Sequence, residues 1–208
     1  MIGIAAAIIL FAYIFGSVPF GLVISKLFFK ADIRKFGSGN IGATNMFRAF
    51  GPVAGAAVLA CDFLKGFIPV IIVDLAFPSN SAFVLWVGVA AGLAAILGHS
   101  YSIFLKFSGG KGMSTAGGMV TGLWPITIPI LVIVWIALIA ITRYVSLASI
   151  IAAIMLPVLV SFIYPRKEFI IFSIIAAIVV IYRHRSNIGR LLNGTELRID
   201  KKVTLEED

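Results

Sequence analysis

One cysteine, two histidines and nine acidic residues are all that a chain of 208 residues contains of those types. Cys61 lies inside an apolar run, so no internal disulfide can form, and no His or Cys stands near it at metal-ligand spacing; it reads as packing. Neither a metal nor a cofactor is expected. Charge is scarce as well, at 12% of residues against 61% hydrophobic, with a mean hydropathy of +1.09, which excludes a soluble globule. The charge that exists is lopsided, 17 basic residues giving a net +8. These basic residues flank apolar segments instead of forming a soluble face, so membrane lipid or anionic substrates are the expected partners and nucleic acid is not. No Lys or Arg precedes Lys26, and the first apolar run outlasts a signal-peptide core, so Ile2 to about Leu27 is expected to be a retained span. An inverted repeat of the kind that marks many transporters is also lacking.

What is present is an all-α integral membrane pattern. Lys26, Lys30, Arg34 and Lys35 after the first span place the N-terminus outside and the first loop inside. A second span runs to about Phe77, and the turn Pro78-Ser79-Asn80-Ser81, with no basic residue, belongs outside. A third span, about Ala82 to Leu105, returns to a loop rich in glycine and lysine. Met113 to Thr142 is longer than the about 20 residues one crossing needs, and Trp124-Pro125 and Pro129 lie within it. It fits one tilted helix or two short ones. Two further runs, near Val145–Tyr164 and Phe169–Tyr182, lead to the basic Arg183-His184-Arg185. A cytoplasmic tail requires an even number of crossings after Lys111, so two short spans are expected and about seven in all. Arg166-Lys167 is then left outside, a misfit to the charge rule. Short interfacial helices are expected besides, one of them near the tail, with Ile188, Leu191 and Leu192 on lipid and Arg183, Asn187 and Arg190 toward headgroups. Gly194 is its expected stop. Residues 1–198 form one membrane-embedded domain and 199–208 a flexible charged tail.

The polar island from Gly37 to Arg48 has the character of an anion cradle. Its glycines let backbone N–H groups approach a phosphate, and Asn40 is placed to cap a short helix whose positive end faces the same anion. If that helix reaches Phe50, Thr44 and Arg48 share one face, with Met46, Phe47 and Phe50 toward the other. Gly37-x-Gly39-x-x-Gly42 matches a dinucleotide fingerprint only by letter, since no βαβ unit surrounds it. Gly110-Lys111 lacks the first Gly and the Ser or Thr of a Walker A loop, and Ser108-x-x-Lys111 lacks the companions of a β-lactamase pair. Within the second span Asp62 and Lys65 would each cost roughly 2.5–3.5 kcal/mol alone, so they should pair or line a wet cavity. His99 reads as an interhelical hydrogen-bonder. His184, at the inner rim three residues before Asn187, is open to a substrate role. Gly51-x-x-x-Gly55, Gly88-x-x-x-Gly92 and Gly118-x-x-x-Gly122 allow close helix contacts.

Taken together, Ser38 to Asn45 with Arg48, Gly109-Gly110-Lys111-Gly112, Arg143-Tyr144-Val145-Ser146, and His184 to Leu191 with Gly194 and Glu196 resemble the motifs of the bacterial acyl-phosphate:glycerol-3-phosphate acyltransferases. The resemblance covers the chain to about Arg198. It implies a multi-pass enzyme of the bacterial inner membrane, its active site facing the cytoplasm. Such an enzyme moves a fatty acyl group from acyl phosphate to the 1-hydroxyl of glycerol 3-phosphate, giving lysophosphatidic acid and phosphate in the first step of phospholipid synthesis. No acyl carrier protein or CoA is then required. The residues implied for catalysis are Ser38, Asn45, Arg48, Lys111, His184 and Asn187. Those implied for substrate binding are Gly39, Asn40, Thr44, Gly109, Gly110, Gly112, Arg143, Ser146, Arg190 and Glu196.

The His-x-x-x-x-Asp pair of soluble-type acyltransferases is lacking, since Phe104 follows His99 at that spacing and Gly189 follows His184. An activated acyl phosphate with a weakly basic leaving group can instead react by positioning and charge stabilisation. The hydroxyl proton would go to His184 or, the slightly favoured course, to a substrate phosphate oxygen. A covalent acyl-Ser38 is a weaker alternative. The rival readings are a transporter or channel for phosphate-containing anions and an acyltransferase that uses acyl-CoA.

Overall fold

The computed structural model describes residues 1–77 and 81–203. Among them the chain is helical, with no strand beyond an isolated bridge between Ser102 and Ser108. Ten α-helices follow in order: α1 Ile2–Ser17, α2 Phe20–Phe29, α3 Ala43–Phe50, α4 Pro52–Ala76, α5 Ala82–Ser100, α6 Met113–Leu123, α7 Thr127–Thr142, α8 Val145–Ile163, α9 Lys167–Arg183 and α10 Arg185–Leu192. The expected first span is a bent pair, α1 and α2 meeting at 41° where Pro19 withholds its N–H. A 58° bend at His184 likewise separates α9 from α10. Only α4, α5 and α8 are long and apolar enough to cross a membrane unaided, and each bent pair adds one more. Met113–Thr142 is two helices, split at Trp124-Pro125-Ile126, of which α6 with 11 residues is about 16 Å long. The expected Pro78–Asn80 turn lies outside the described residues, as does 204–208 of the tail.

Small residues set the helix spacing. At the α1–α5 crossing a Cβ on Gly16 would strike the Ala95 backbone, and one on Gly98 the backbone of Tyr13 and Ser17. At the α4–α6 crossing the same holds for Gly66 against Thr115 and for Gly118 against Phe63. Of the three expected Gly-x-x-x-Gly pairs, Gly118 and Gly122 lie at this crossing and Gly92 seats Met119 of α6, while a Cβ on Gly88 would come 3.3 Å from the Leu123 side chain. Gly51 and Gly55 do something else. Gly51 breaks the chain with φ +90° ahead of Pro52, and Gly55 lies under Phe47 of α3.

The contacts sort the chain's turns into two ends. At one end Phe77 packs with Ala5, Ile8 and Val84; Trp124 stacks edge-on against Phe169; and the Ile126 N–H donates to Tyr164 Oη at 3.3 Å. At the other end Ser102 Oγ donates to Ser17 O, Arg183 donates to the carbonyls of Gly109 and Gly110, and Ile199 N–H donates to Arg143 O. Every polar island singled out in the sequence is at this second end. The buried core between, around Val89, Ile96, Met119, Trp124, Leu156 and Val160, is apolar.

The two neighbouring glycines of α6 make opposite demands. Gly118→Ala forces a methyl into the Phe63 carbonyl and should destabilise by about 1–3 kcal/mol. Gly117→Ala meets only ordinary contact, 3.9 Å from Phe63 Cδ2, and gains helix propensity of up to about 1 kcal/mol. Thermal melts in detergent are expected to fall for the first variant and hold or rise for the second.

Candidate functional site

The first polar loop is held by one side chain. Asn45 Nδ2 donates to the carbonyls of Phe36 (2.9 Å), Asn40 (2.9 Å) and Ile33 (3.3 Å), while its Oδ1 accepts from the Ser38 N–H at 3.3 Å. These bonds occupy the amide, so Asn45 organises the loop while also lining the cavity. Asn40 does not cap α3. Its Oδ1 accepts from the Gly42 N–H at 2.9 Å, a turn ahead of the helix, and Gly42 itself is the N-cap. The positive end of α3 still faces a cavity, because Gly42, Ala43 and Thr44 line it together with Ser38, Asn40 and Arg48. On the opposite face Met46 is fully buried and Phe50 stacks on Phe29, as the helix pattern required; Phe47 instead lines the cavity.

Arg48 and the tail meet over this cavity. Arg48 Nε donates to Arg198 O at 3.0 Å, and the other end of the guanidinium to Leu197 O. Residues 197–203 are therefore docked, although 199–208 were expected to be flexible: Ile199 lines the cavity, and the Val203 N–H reaches Arg48 O at 3.4 Å with its side chain over Gly37. Burial draws the Arg48 guanidinium below its ordinary pKa, with Glu196 acting against this and Arg190 with it.

The second loop contributes Lys111 and Gly112 to the lining. Gly109 and Gly110 stand behind, their carbonyls accepting from Arg183 at 2.9 and 3.1 Å. Burial lowers Lys111 to a pKa of about 8; Glu196 opposes the shift, and the charges of Arg190, Arg48 and Arg183 deepen it.

The third group surrounds a carboxylate. Glu196 Oε1 accepts from Ser146 Oγ (2.9 Å) and Asn187 Nδ2 (2.7 Å), and Oε2 accepts from Arg190 Nε (2.8 Å). Arg183, Asn187 and Arg190, expected to reach lipid headgroups, thus turn inward to protein acceptors, because a buried carboxylate and two loop carbonyls offer firmer partners than solvent. Asn187 Oδ1 is buried without a hydrogen-bond partner. His184 Nδ1 lies 2.8 Å from Val180 O. A carbonyl only accepts, so the ring proton sits on Nδ1 and Nε2 carries a lone pair. Burial pushes His184 down to about 4, against the Val180 bond and Glu196 and with the charges of Lys111 and Arg183.

The cavity encloses about 710 Å³. Its mouth carries Arg48, Lys111, Arg190, His184, Asn187, Ser146 and Glu196, and its depth is walled by Leu131, Trp135, Ala152, Leu156, Ala176 and Val180. A rim of Leu59, Phe63, Thr121, Val132 and Ile136 lines it between α4, α6 and α7, with Leu59 and Ile136 exposed. Such a site suits an anion joined to a long apolar chain. Four expected residues stay out of the lining: Gly39, Gly109, Gly110 and Arg143, the last exposed and offering the tail its carbonyl. Ser114, Ser149, Leu197 and Ile199 line the cavity without having been singled out. The Leu197 contact runs through a backbone carbonyl, which no side-chain motif signals. Among the described residues no cluster of His, Cys, Asp and Glu could hold a metal ion.

A family model described as glycerol-3-phosphate acyltransferase matches residues 6–194. A glycerol-3-phosphate acyltransferase of Staphylococcus carnosus is 48% identical, over 92% of this chain and 96% of its own length. One of Desulforamulus reducens is 41% identical, over 95% and 96%. The crystal structure of PlsY (YgiH), an integral membrane glycerol 3-phosphate acyltransferase, in its glycerol 3-phosphate form superimposes with a TM-score of 0.87 at 43% identity, covering 93% of this chain and 94% of that one. Its lysophosphatidic acid form gives 0.84.

With its pKa near 4, His184 should be neutral throughout the range in which an ordinary histidine titrates. Nitrogen NMR of the labelled protein in micelles is expected to show a protonated Nδ1 and a bare Nε2 from pH 8 to 5, protonation beginning only below. A midpoint near 6.5 would contradict the burial.

Proposed function

The chain belongs to the glycerol-3-phosphate acyltransferase family and is a membrane enzyme that acylates glycerol 3-phosphate; we propose that its donor is acyl phosphate and its acceptor the 1-hydroxyl. The observation that carries this is one cavity whose mouth gathers Arg48, Lys111 and Arg190 from three separate parts of the chain above an apolar depth. Two phosphates and one acyl tail fit that division. In the proposed step the glycerol oxygen forms a bond to the acyl carbon, the bond from that carbon to the donor's phosphate oxygen breaks, and the hydroxyl proton leaves with the phosphate. Lysophosphatidic acid and inorganic phosphate result, with neither CoA nor acyl carrier protein consumed.

Arg48, Lys111 and Arg190 hold the phosphates, with the N-terminal end of α3 and Thr44 beside them. His184 Nε2 and Asn187 Oδ1 accept from the glycerol hydroxyls. Ser38, Asn40 and Ser146 complete the polar mouth, while Asn45, Gly39, Gly109 and Gly110 position the loops that carry it. Glu196 keeps Arg190, Asn187 and Ser146 in place. We place residues 1–198 in one catalytic domain, with the docked stretch to Val203 as its strap. A transporter needs polar groups along a path to both ends, and the far end of this cavity is walled by Ile128, Leu131 and Leu156.

Seven crossings of the inner membrane, N-terminus outside and site facing the cytoplasm, are supported by the alternation of the two ends. The site end holds Lys26, Lys30, Lys106, Lys111 and Arg185, whereas the far end holds only Arg166 and Lys167.

Two measurements test these proposals. Purified protein supplied with acyl phosphate and glycerol 3-phosphate, with no CoA, should yield lysophosphatidic acid and phosphate in equal amounts; turnover only with acyl-CoA would reject the donor. On a Cys61→Ser background, Lys106→Cys should react with an impermeant thiol reagent only in inverted vesicles and Arg166→Cys only in intact cells. The reverse pattern would invert the topology.

A further inference from the structure

Asp62 and His99, which line the cavity, and Lys65, which does not, are groups that the step above does not use. Lys65 and Asp62, one turn apart on α4, form a 2.8 Å ion pair with side chains 1% and 3% exposed. His99, near the end of α5, brings Nδ1 to 3.5 Å from both partners. Lys65 Nζ also lies 5.0 Å from the centre of the Phe20 ring on α2. Each ion alone would be costly at this depth, and paired they are close to neutral, so the cluster has one arrangement that satisfies it. It therefore ties α2, α4 and α5 at a single point.

The upper side of His99 is a seat. The Gly110 N–H donates to His99 O at 3.0 Å, a Cβ on Gly110 would overlap the ring at Nε2, and a Cβ on Gly109 would strike the His99 carbonyl. From the other side Arg183 holds the carbonyls of both glycines. The loop that carries Lys111 is thus clamped between the imidazole and a guanidinium, with no room for a methyl group.

We infer that Asp62, Lys65 and His99 form a positioning device: the ion pair fixes the His99 ring, the ring fixes Gly110, and Gly110 aims Lys111 into the cavity. The choice of histidine follows from this. An apolar ring of similar size would fill the space, but nothing would set its rotation, whereas Nδ1 facing an ion pair sets it. The inference rests on Lys111 holding a substrate phosphate, as proposed above.

The test is a double-mutant cycle on the full-length enzyme: Gly110→Ala, His99→Ala and the two combined. Rates are taken with acyl phosphate at varied glycerol 3-phosphate, and melting temperature is read on the same samples. Gly110→Ala should raise KM for glycerol 3-phosphate about tenfold or more with the saturated rate little changed, and should lower the melting temperature because its methyl overlaps a buried ring. Removing the ring makes room for the methyl, so in the combined variant the Gly110→Ala penalty should disappear, leaving the KM of His99→Ala alone. Penalties that multiply in the combined variant would overturn the inference. Should His99→Ala not fold, Gly110→Ala and Gly110→Val decide the matter. A KM rising in that order with the saturated rate held supports the seat, and a wild-type KM in both overturns it. Absence of turnover by the wild type would instead overturn the acyltransferase reading and this inference with it, so the two failures are distinguishable.

Discussion

The mouth of the cavity must be basic enough to hold phosphate without being driven apart by its own charge. Two like charges about 8 Å apart repel by about 2 kcal/mol at an effective dielectric near 20, and Arg48, Lys111, Arg183 and Arg190 are near enough to perturb one another. The offset comes from one carboxylate and four carbonyls. Glu196 takes Arg190 directly, Leu197 and Arg198 take Arg48, and Gly109 and Gly110 take Arg183. Carbonyls are well suited to this. They hold a guanidinium in place without neutralising it, so its charge remains available to an incoming anion. Among the described residues Lys111 has no such side-chain partner, and its pKa of about 8 reflects burial among cations. The phosphate proposed to bind there would satisfy it.

That arrangement depends on loops from distant parts of the chain arriving at one height. Small residues accomplish it at two crossings, Gly16 and Gly98 between α1 and α5, and Gly66 and Gly118 between α4 and α6. Backbone-to-backbone contact fixes these helices along their axes as well as in distance, since no side chain intervenes to be repacked. The first crossing sets the Ser17–Ser102 bond, and with it the start of the loop before Lys111. The second holds Asp62 and Lys65 against the beginning of α6. Rigid scaffold and mobile substrate are therefore separated, the close crossings lying on one side of the cavity and the more loosely sealed α7 on the other.

Much of this was legible from residue order. The helical class, the division of Met113–Thr142 into two helices and the partnership of Asp62 with Lys65 follow from hydropathy, proline placement and the cost of buried charge, and the gathering of Arg48, Lys111, His184 and Asn187 was implied by the family resemblance. What was not legible has a common cause. Asn45 was implied for catalysis by the resemblance, and its hold on the loop was not foreseen, because its bonds go to backbone groups of Ile33, Phe36, Ser38 and Asn40, which leave no mark in a sequence. Arg183 and Arg190 were assigned to lipid headgroups on the strength of an amphipathic face. Their inward turn depends on Glu196 and the Gly109 carbonyl, one close in sequence but beyond the helix and the other more than seventy residues away. Residues 199–208 were read as flexible because their charged side chains promise solvent, and from Leu197 to Val203 it is the main chain that docks.

The fate of the hydroxyl proton can be argued from the same electrostatics. A general base works best when its pKa lies near the ambient pH, and His184, held near 4 by burial with Lys111 and Arg183 adding to the effect, is far below it. In the proposed step the donor phosphate would separate from the acyl carbon as the new bond forms, so its basicity would rise just when the proton must be placed, and it would depart carrying that proton. The imidazole has a different use. Neutral, with its proton committed to Val180, it presents a fixed lone pair that can orient a hydroxyl without competing for the anions. Were it charged, it would draw a phosphate into the place the hydroxyl must occupy. On the proposed mechanism low basicity at His184 would help tell the two ends of glycerol 3-phosphate apart, and Lys111, one of the two cations that lower it, is also proposed to hold phosphate.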